Sequence, residues 1–293
     1  MTFGKPLFVK GKESELKYWN YSVVMNQDRK LAFFSAANID SSKFLGTRDA
    51  DGDKWFIDTR IDKKCQIGAE FYKKQREFEA DRTSNPFDQG HLSKRGDLQW
   101  GSNNDEAKRN GDDSFHYTNC TPQHWQFNQN KPASGLWYRL EMSAIKTLGT
   151  GSKLCLINGP VFDGPLSDPG SDGRLRLNLN GKRVKDGSFG RIKIPKLFFK
   201  IIAYQVEKEL KAKAFIVTQE DLLTTIDRYY PEEKISDVLS DLEVRLYQVR
   251  IRDLESLTGL DFGPLSKYDV PNGEESTLLQ EGMPIEDENQ IIF

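Results

Sequence analysis

The segment Asp88-Gln89-Gly90-His91-Leu92 decides how the rest of this 293-residue chain is interpreted. Its histidine directly follows a glycine, so the backbone can turn sharply there or approach a ligand closely. A reaction that needs a neutral base at about pH 7 must choose among the three histidines of the chain, His91, His116 and His124. His116 lies in a strand-like run and His124 lies beside Trp125, which favours a structural or surface role for both. His91 by itself fits either role, and its neighbours decide between them.

The residues that follow this segment supply several amides and one carboxylate. They are Thr118-Asn119-Cys120-Thr121-Pro122-Gln123, Asn128, Trp137 and Glu141. One histidine, several carboxamides and this carboxylate therefore lie within about fifty residues of one another. Such a set suits metal-assisted phosphodiester hydrolysis, in which one base activates water and a cation with few protein ligands binds the phosphate.

The order of these residues resembles the DNA/RNA non-specific endonuclease family. The pattern is D-x-G-H-L, then T-N-x-x-P-Q, then an asparagine nine residues after the first asparagine, and then W-x-x-x-E. This family includes mitochondrial endonuclease G and secreted sugar-non-specific nucleases of bacteria, and it carries a ββα-metal (His-Me finger) active site. The similarity covers roughly residues 15 to 265 and includes residues 34–40, 55–58, 158–162, 194–200 and 254–262.

The resemblance implies an α+β fold with a mixed, mainly antiparallel central sheet, flanking helices and a ββα-metal active site. The apolar pattern independently predicts strands over residues 21–25, 31–35, 55–61, 115–120, 154–157, 191–206, 212–218 and 247–251. It predicts helices over residues 69–80 and 136–147, and an exposed helix or loop over residues 103–113. Pro122 and Gln123 are expected to open a helical region that Pro132 and Gly135 interrupt. Residues 163–190 are predicted to be a long functional or mobile loop.

The resemblance also assigns chemical roles. His91 would be the general base that takes a proton from the attacking water, and the products would carry 5′-phosphate and 3′-hydroxyl ends. Asn128, with Asn130 as the alternative, would be the ligand of Mg²⁺ or Mn²⁺, because Mg²⁺ often keeps several of its waters. Glu141 would accept hydrogen bonds from metal-bound water, and Asn119 would tie the strand to the site. The other candidates are Arg95 as a catalytic cation and Asp88, Gln89, Lys94 and Arg60 as substrate contacts.

Two arginines of the family pattern are replaced in this chain. Gln89 stands where the family usually has arginine, and Lys94 and Arg95 are candidates to supply that charge. The second family arginine lies two residues before the match to Trp55, where this chain has Asp53. The candidates to replace it are Lys54, Arg48 and Arg60. A basic residue that stabilises the pentacoordinate phosphate contributes much of the electrostatic catalysis.

A third difference lies between Asn128 and Glu141. The family spacing is eight residues, whereas here it is thirteen, with Pro132 and Gly135 inside the gap. An insertion that bulges the start of the helix is therefore expected. The three differences favour an alternative function, a catalytically weak or inactive nuclease fold that binds nucleic acid or regulates another protein. The presence of His91, Asn119, Asn128 and Glu141 together argues against this alternative. The expected function is therefore a metal-dependent endonuclease that acts on DNA, with RNA as a second candidate, and has little sequence preference. A phosphodiesterase for a small nucleotide is a further alternative, because the 163–190 loop could narrow the cleft.

The charge distribution suggests a division of the chain. The net charge is −2, but residues 267–293 contain seven acidic side chains and one lysine, so 41 basic and 37 acidic residues remain elsewhere. A mildly basic body permits phosphate binding without requiring it. The expected division is an N-terminal arm (1–18), a non-specific endonuclease domain (19–265) and an acidic C-terminal tail (266–293). The tail either masks the site by resembling nucleic-acid charge or is simply disordered.

The expected location is cytoplasmic. The sequence has neither an eighteen-residue apolar run nor an N-terminal basic region followed by an apolar stretch. Cys65, Cys120 and Cys155 are widely spaced and fit neither a zinc pattern nor a disulfide framework. The expected partners are DNA, RNA as a second candidate, a regulatory protein or inhibitor, and a second copy in a homodimer, with no membrane. A role as a defence effector is a further hypothesis.

Overall fold

The chain folds around one large antiparallel sheet. The computed structural model describes residues 4–9, 13–45, 54–72, 87–129, 136–149, 151–162, 176–177, 192–223, 245–269, 285, 291 and 293. The described strands are β1 (Glu15–Lys17), β2 (Tyr21–Asn26), β3 (Leu31–Asp40), β4 (Phe87–His91), β5 (Cys120–His124), β6 (Lys153–Val161), β7 (Arg176–Leu177), β8 (Ile192–Lys193), β9 (Leu197–Val206), β10 (Glu209–Thr218) and β11 (Arg245–Val249). Seven of them form the large sheet in the order β1-β2-β3-β6-β9-β10-β11, and each neighbouring pair is antiparallel.

The large sheet has a hydrophobic core on each of its faces. Successive side chains of a strand point to opposite faces, so the residues of β9 divide between two clusters. Phe198 and Ile202 belong to the cluster that also contains Leu140, whereas Phe199 and Ile201 belong to the opposite one. Burial on both faces explains the apolar runs at residues 201–203 of β9 and 214–217 of β10.

Tight turns set the registers of the two hairpins predicted from the sequence. The β9–β10 turn consists of Glu207 and Lys208, both with positive φ (50° and 73°), the backbone that matches the twist of a two-residue hairpin. In the β2–β3 turn, the Asn26 side chain accepts bonds from the backbone N–H groups of Asp28 (3.1 Å) and Arg29 (3.2 Å). Both predicted hairpins are confirmed.

Short helices flank the sheet. They are α1 (Arg95–Leu98), α2 (Asn104–Asp112), α3 (Trp125–Gln129), α4 (Leu136–Leu148) and α5 (Ile251–Thr258). Helix α2 occupies the segment predicted as an exposed helix or loop. It begins with reciprocal caps, because Asn103 accepts from the Glu106 N–H (2.9 Å) and the Glu106 side chain accepts from the Ser102 N–H (2.8 Å).

The strands β4 and β5 form a separate two-stranded antiparallel sheet, and α3 follows β5 directly. His91 pairs with Cys120 and Asp88 pairs with Gln123 in this ladder. The unit β4-β5-α3 is the ββα element that the resemblance implied. The predicted α+β fold with a mainly antiparallel central sheet is therefore confirmed.

The predicted strand over residues 55–61 is wrong. In the described structure this stretch makes one isolated bridge, between Phe56 and His116. The chain turns soon afterwards, because the Asp58 carboxylate accepts a bond from the Arg60 N–H at 2.8 Å. The side-chain-capped turn competes with the extended conformation that the apolar residues favour.

The predicted strand over residues 115–120 and the helix predicted to open at Pro122 are also wrong. Residues Tyr117–Asn119 form a short 3₁₀ helix, and Pro122 lies inside β5, paired with Gln89. A two-stranded sheet has two open edges, so a strand residue that lacks an N–H is tolerated there. The helix begins three residues later, at Trp125.

Several predictions fall partly outside the described residues. The helix predicted over 69–80 is described only to residue 72, where the chain forms turns. Of the 163–190 loop, only residues 176–177 are described. Helix α3 is described to Gln129 and α4 from Leu136, so the interruption predicted at Pro132 and Gly135 lies outside the described residues.

Both predicted terminal segments contact the body of the protein. Strand β1 lies within the predicted arm and pairs with β2. Near the C-terminus, Ile291 is buried and the Phe293 ring lies 5.7 Å from the Tyr204 ring. Among the described residues, no helix is both long and apolar enough to cross a membrane. The domain boundaries drawn at residues 18 and 265 remain predictions.

Candidate active site

His91 ends β4 and lies against two aromatic rings. Its ring centroid is 4.5 Å from that of Trp55 and 4.8 Å from that of Phe115, which meets it edge-on. Its Nε2 atom lies 3.3 Å from the Ser114 hydroxyl oxygen. The Ser114 hydroxyl donates its hydrogen to the Gly111 carbonyl at 2.7 Å, which leaves its oxygen to accept from Nε2–H. This arrangement favours the tautomer in which Nδ1 is the basic nitrogen of His91.

Gly90 allows the two strands of the ββα unit to pack tightly. A Cβ atom at this position would lie 2.3 Å from Cδ of Gln123. Gln123 is buried on β5, so its side chain has little room to move. A glycine before His91 is therefore a packing requirement, in addition to any effect on the approach of a ligand.

Asn119 fastens the end of β4 to the segment that precedes β5. Its Oδ1 accepts from the Ser93 N–H at 3.0 Å, and its Nδ2 donates to the carbonyls of Ser93 (2.8 Å) and Ser114 (3.0 Å). Its own carbonyl accepts from the Leu92 N–H at 2.9 Å. The side chain is fully buried, and these bonds hold Leu92 and Ser93, which follow His91, and Ser114, which contacts it.

Asn128 and Asp88 meet across the ββα unit. The half-buried Asn128 on α3 donates from Nδ2 to Oδ2 of Asp88 on β4, at 2.9 Å. The amide nitrogen faces this carboxylate, so the carbonyl oxygen of Asn128 is the atom that would face a cation. The alternative ligand, Asn130, lies outside the described residues. In the described part of the chain, no three histidine, cysteine or acidic side chains cluster as a metal site.

Glu141 is a buried carboxylate held between two lysines. Its Oε1 atom accepts a short bond from Lys200 of β9, and its Oε2 atom accepts one from Lys94 at 2.9 Å. Lys200 also donates to the Trp137 carbonyl at 3.0 Å and lies 4.0 Å from the centre of the Trp137 ring. Lys94 lies 3.7 Å from the Asp97 carboxylate. Two ammonium groups and two carboxylates therefore form one largely buried network.

The network shifts the pKa values of its members in different directions. Burial raises the pKa of Asp97 to about 7; Lys94 opposes this effect and Glu141 reinforces it. Burial also raises the pKa of Glu141, but the charges of Lys200 and Lys94 outweigh it and hold that pKa below its ordinary value. Glu141 is therefore ionised at neutral pH, whereas Asp97 changes its charge close to neutrality.

Two further candidates bond to neighbouring protein groups. Gln89 donates from Nε2 to the Tyr117 hydroxyl at 3.0 Å. Burial raises the pKa of Tyr117 to about 12, so this group stays a neutral phenol. Arg95 pairs with Asp112 of α2 at 3.1 Å. The substrate contacts predicted for Gln89 and Arg95 remain predictions.

Arg60 lies in a cluster with the N-terminal segment. It donates to both oxygens of the buried Asp58 carboxylate and to the Lys17 carbonyl, and its guanidinium lies 4.4 Å from the centre of the Tyr18 ring. The Tyr18 hydroxyl also bonds to Asp58 and to Thr118. The cluster thus stabilises the segment beside the candidate base, and contact of Arg60 with substrate remains a prediction.

Some residues of the site were not among the sequence candidates. The rings of Trp55 and Phe115 and the hydroxyl of Ser114 fix the orientation of His91. Lys200 and Asp97 complete the charge network around Glu141. One signal was present in the sequence: Lys200 interrupts an apolar strand, and a buried lysine needs a partner of opposite charge.

The large sheet and the β4-β5-α3 unit agree with the ββα nuclease fold that the resemblance implied. The chain belongs to the DNA/RNA non-specific endonuclease family, whose family model matches residues 2–269. The predicted family is therefore confirmed. This is a family of metal-dependent nucleases.

The proteins similar to the chain include one curated protein and one solved structure. The uncharacterized protein y4fB of Sinorhizobium fredii (strain NBRC 101917 / NGR234) is 34% identical over 222 residues, 74% of this chain and 29% of that protein. The chain thus spans less than a third of the length of this relative. The crystal structure of the EndoG/EndoGI complex matches with a TM-score of 0.56 and 15% identity over 86% of each chain, a likeness that concerns the fold.

Proposed function

We propose that this protein is a metal-dependent endonuclease that hydrolyses phosphodiester bonds of DNA, and of RNA as a second substrate, with little sequence preference. The observation that carries the proposal is the ββα unit. In this unit the oriented His91 and Asp88 share strand β4, and Asp88 bonds to Asn128 of the helix α3. Cleavage directed at the backbone needs no contact with base edges.

His91 is the general base of the proposed reaction. Ser114 holds Nε2, so Nδ1 takes a proton from the water that attacks phosphorus. Trp55 and Phe115 fix the ring plane and keep this side of the site apolar. A base held in one orientation needs less reorganisation when the proton moves. Asn119 supports the same geometry through its backbone bonds.

The oxygen atoms near α3 fit a hard divalent cation. Asn128 supplies a carbonyl oxygen and Asp88 a carboxylate, and Mg²⁺ or Mn²⁺ accepts oxygen ligands while keeping waters. When bound, the cation would neutralise charge on the phosphate and on the departing 3′ oxygen. Asn128 is the proposed direct ligand, and Asp88 orients its amide.

The lysine-bound Glu141 network is proposed to support the same site electrostatically. Lys94 is the more exposed of the two lysines, with 21% of its side chain accessible against 2% for Lys200. Lys94 is therefore the proposed phosphate contact, and it replaces part of the charge that Gln89 lacks. Glu141 stays ionised, so its remaining lone pairs can accept bonds from water on the cation.

Control of the activity is part of the proposal. The EndoG/EndoGI structure concerns EndoG inhibition, which supports an inhibitor protein as a partner of this chain as well. The acidic tail is a second candidate, because its charge opposes nucleic-acid binding at a mildly basic body. A cytoplasmic location and a homodimer are proposed on the sequence arguments alone.

Plasmid cleavage tests the proposed reaction and its metal requirement. Purified full chain is incubated with supercoiled plasmid in Mg²⁺, in Mn²⁺ or in EDTA, and the linear products are treated with DNA ligase without a kinase. We expect cleavage only with metal and products that religate, because their 5′ ends carry phosphate. Cleavage that persists in EDTA, or ends that need phosphorylation, would contradict the mechanism.

A catalytically weak nucleic-acid-binding protein is the second candidate. It is favoured by the bonds that already engage three polar candidates: both Glu141 oxygens bind lysines, Gln89 bonds Tyr117, and Arg95 pairs with Asp112. A folded chain that binds oligonucleotides and leaves plasmid intact with every metal would support this alternative.

A further inference from the structure

Two exposed aromatic side chains, Trp19 and Phe56, share a groove close to the candidate active site. Each is 52% exposed, and both line a cavity of about 480 Å³ together with His116, Arg109 and Lys108. Single exposed aromatic residues are ordinary on protein surfaces. Two that line one cavity of this size form a concave apolar surface of the kind that binds a ligand.

The segment that carries Phe56 is the wall between this groove and the site. The Phe56 N–H donates to the Phe115 carbonyl at 2.7 Å, and the Phe56 carbonyl accepts from the Tyr117 N–H at 2.9 Å. Successive side chains of an extended segment point in opposite directions. Trp55 accordingly contacts His91, whereas Phe56 is exposed in the groove. His91 and the groove therefore lie on opposite sides of this one short segment.

Trp19 is also held rigidly in its exposed position. The backbone N–H of Trp19 donates to the Asp113 carboxylate at 2.8 Å, and the Arg109 guanidinium lies 4.2 Å from the centre of the Trp19 ring. The next residue, Asn20, has a left-handed backbone with φ of 64°. Its side-chain amide donates to the backbone carbonyls of Leu98 (3.0 Å) and Trp100 (3.1 Å). A non-glycine residue in this conformation is an energetic cost that packing must offset. Fixed aromatic rings bind with a small loss of conformational entropy.

The charges of the groove suit a neutral planar group better than a phosphate. Three carboxylates, Asp105, Asp112 and Asp113, line it beside Lys108 and Arg109. Lys108 is already paired with Asp112 at 2.6 Å. A phosphate would meet more negative than positive groups here, whereas the ring edges and amino groups of a base are compatible with carboxylates.

We propose that this groove binds an unpaired base of the nucleic-acid substrate, stacked on Trp19 and Phe56. This inference rests on the proposed nuclease function and adds that the preferred substrate is single-stranded beside the cut. The faces of bases in a duplex are covered by their neighbours, so only an unpaired base can stack on these rings. Stacking on aromatic rings accepts every base, which agrees with weak sequence preference.

Binding of labelled oligonucleotides tests the inference without depending on cleavage. Full chain carrying His91→Ala is titrated into a fluorescein-labelled single strand and into the duplex of the same sequence. Trp19→Ala and Phe56→Ala are each expected to raise the Kd for the single strand about 5- to 150-fold, the range of base–aromatic stacking. Trp19→Phe and Phe56→Tyr, which keep a ring, are expected to retain binding. Phe8→Ala removes an aromatic residue that is 59% exposed and serves as the matched control.

The outcomes separate this inference from the proposed function. If Trp19→Ala and Phe56→Ala bound the single strand as tightly as the parent protein and the wild type cleaved DNA, the groove would not be a base-binding site. The proposed nuclease function would be unaffected by that result. If the two alanine variants lost equal affinity for the duplex and for the single strand, the bound base would not have to be unpaired, and the inference would be wrong. A wild type that neither binds nor cleaves would overturn both. If the wild type self-associates in ultracentrifugation and Trp19→Ala abolishes this without affecting oligonucleotide binding, the groove is a protein interface and the inference is wrong.

Discussion

At the scale of single residues, the bond between Glu141 and Lys200 is expected to have the largest effect on the stability of the fold. Both side chains are almost fully buried, so Glu141→Gln leaves the Lys200 ammonium without its main counter-charge. We expect this change to lower the free energy of unfolding by about 3–5 kcal/mol, the usual cost of breaking a buried pair. Urea unfolding at neutral pH measures it.

Two variants make this test specific. Glu220→Gln removes a carboxylate from the Lys196–Glu220 pair, in which 46% of the Glu220 side chain is exposed, and we expect a loss of at most about 1 kcal/mol. Adding Lys200→Met to Glu141→Gln removes the unpaired charge, and we expect part of the lost stability to return. A Glu141→Gln variant as stable as Glu220→Gln would show that the network contributes little.

The raised pKa of Asp97 is expected to make the stability of the protein depend on pH. Its pKa is about 7 in the folded chain, against an ordinary value of 3.8. Between these values the folded state binds more protons than the unfolded state, so stability falls as pH rises. We expect Asp97→Asn to weaken this decline between about pH 4 and pH 7. Chemical unfolding across that range tests it, and parallel curves for wild type and variant would contradict the assignment.

The candidate site residues near the motif were predictable from the sequence, whereas the residues that contact them from distant parts of the chain were not. Glu141 was identified by its spacing from Trp137, but Lys200 lies 59 residues further on and reaches it only because β9 is central in the sheet. Ser114 was missed because a serine at the end of a polar helix has no distinctive local pattern.

At the scale of elements, the packing of β4 on β5 depends on Gly90. A Cβ at this position would overlap the buried Gln123 side chain, so we expect Gly90→Ala to lower stability by about 1–3 kcal/mol through overpacking. Gln123→Ala in the same chain makes room and should recover part of the loss. Thermal unfolding of both variants measures this.

Gly96→Ala is the control for this change. Among the described residues, no atom outside the α1 backbone and the neighbours of Gly96 lies within 4 Å of a Cβ at this position, so we expect no loss of stability there. If Gly90→Ala were equally harmless, the contact with Gln123 would not determine how the ββα unit packs.

Hairpins and long amphipathic segments were predictable because their signals are local. The β2–β3 hairpin and α4 follow from alternation and helical spacing near turn residues. Strand β5 was not predictable in this way, because Pro122 suggests a helix start and only pairing with β4 makes the segment extended. Likewise, residues 55–61 look strand-like, but the carboxylate of Asp58 ends the extended run.

At the scale of the whole molecule, the acidic C-terminal segment predicts a change in activity. If its charge competes with nucleic acid, replacing Glu274, Glu275, Glu281, Glu286, Asp287 and Glu288 with their amides should raise the cleavage rate at low salt. The increase should shrink at high salt, because screening weakens the competition. Initial rates of plasmid nicking at two ionic strengths measure it.

Deleting residues 267–293 is a less specific test of the same idea. It would also remove Ile291 and Phe293, which pack beside Tyr204 in the core. The amide variant keeps these contacts, so its thermal stability should match the wild type. An unchanged nicking rate in a stable amide variant would contradict masking by the tail.

The central claim, a nuclease whose base is His91, is tested most directly by nicking of supercoiled plasmid with Mg²⁺ by wild type and His91→Ala. Both proteins are purified identically, and circular dichroism verifies that both are folded. We expect metal-dependent nicking by the wild type and a loss of at least about 100-fold in the variant, the usual contribution of a general base. Nicking that survives the substitution would contradict the assignment of His91 and of the ββα unit as the active site.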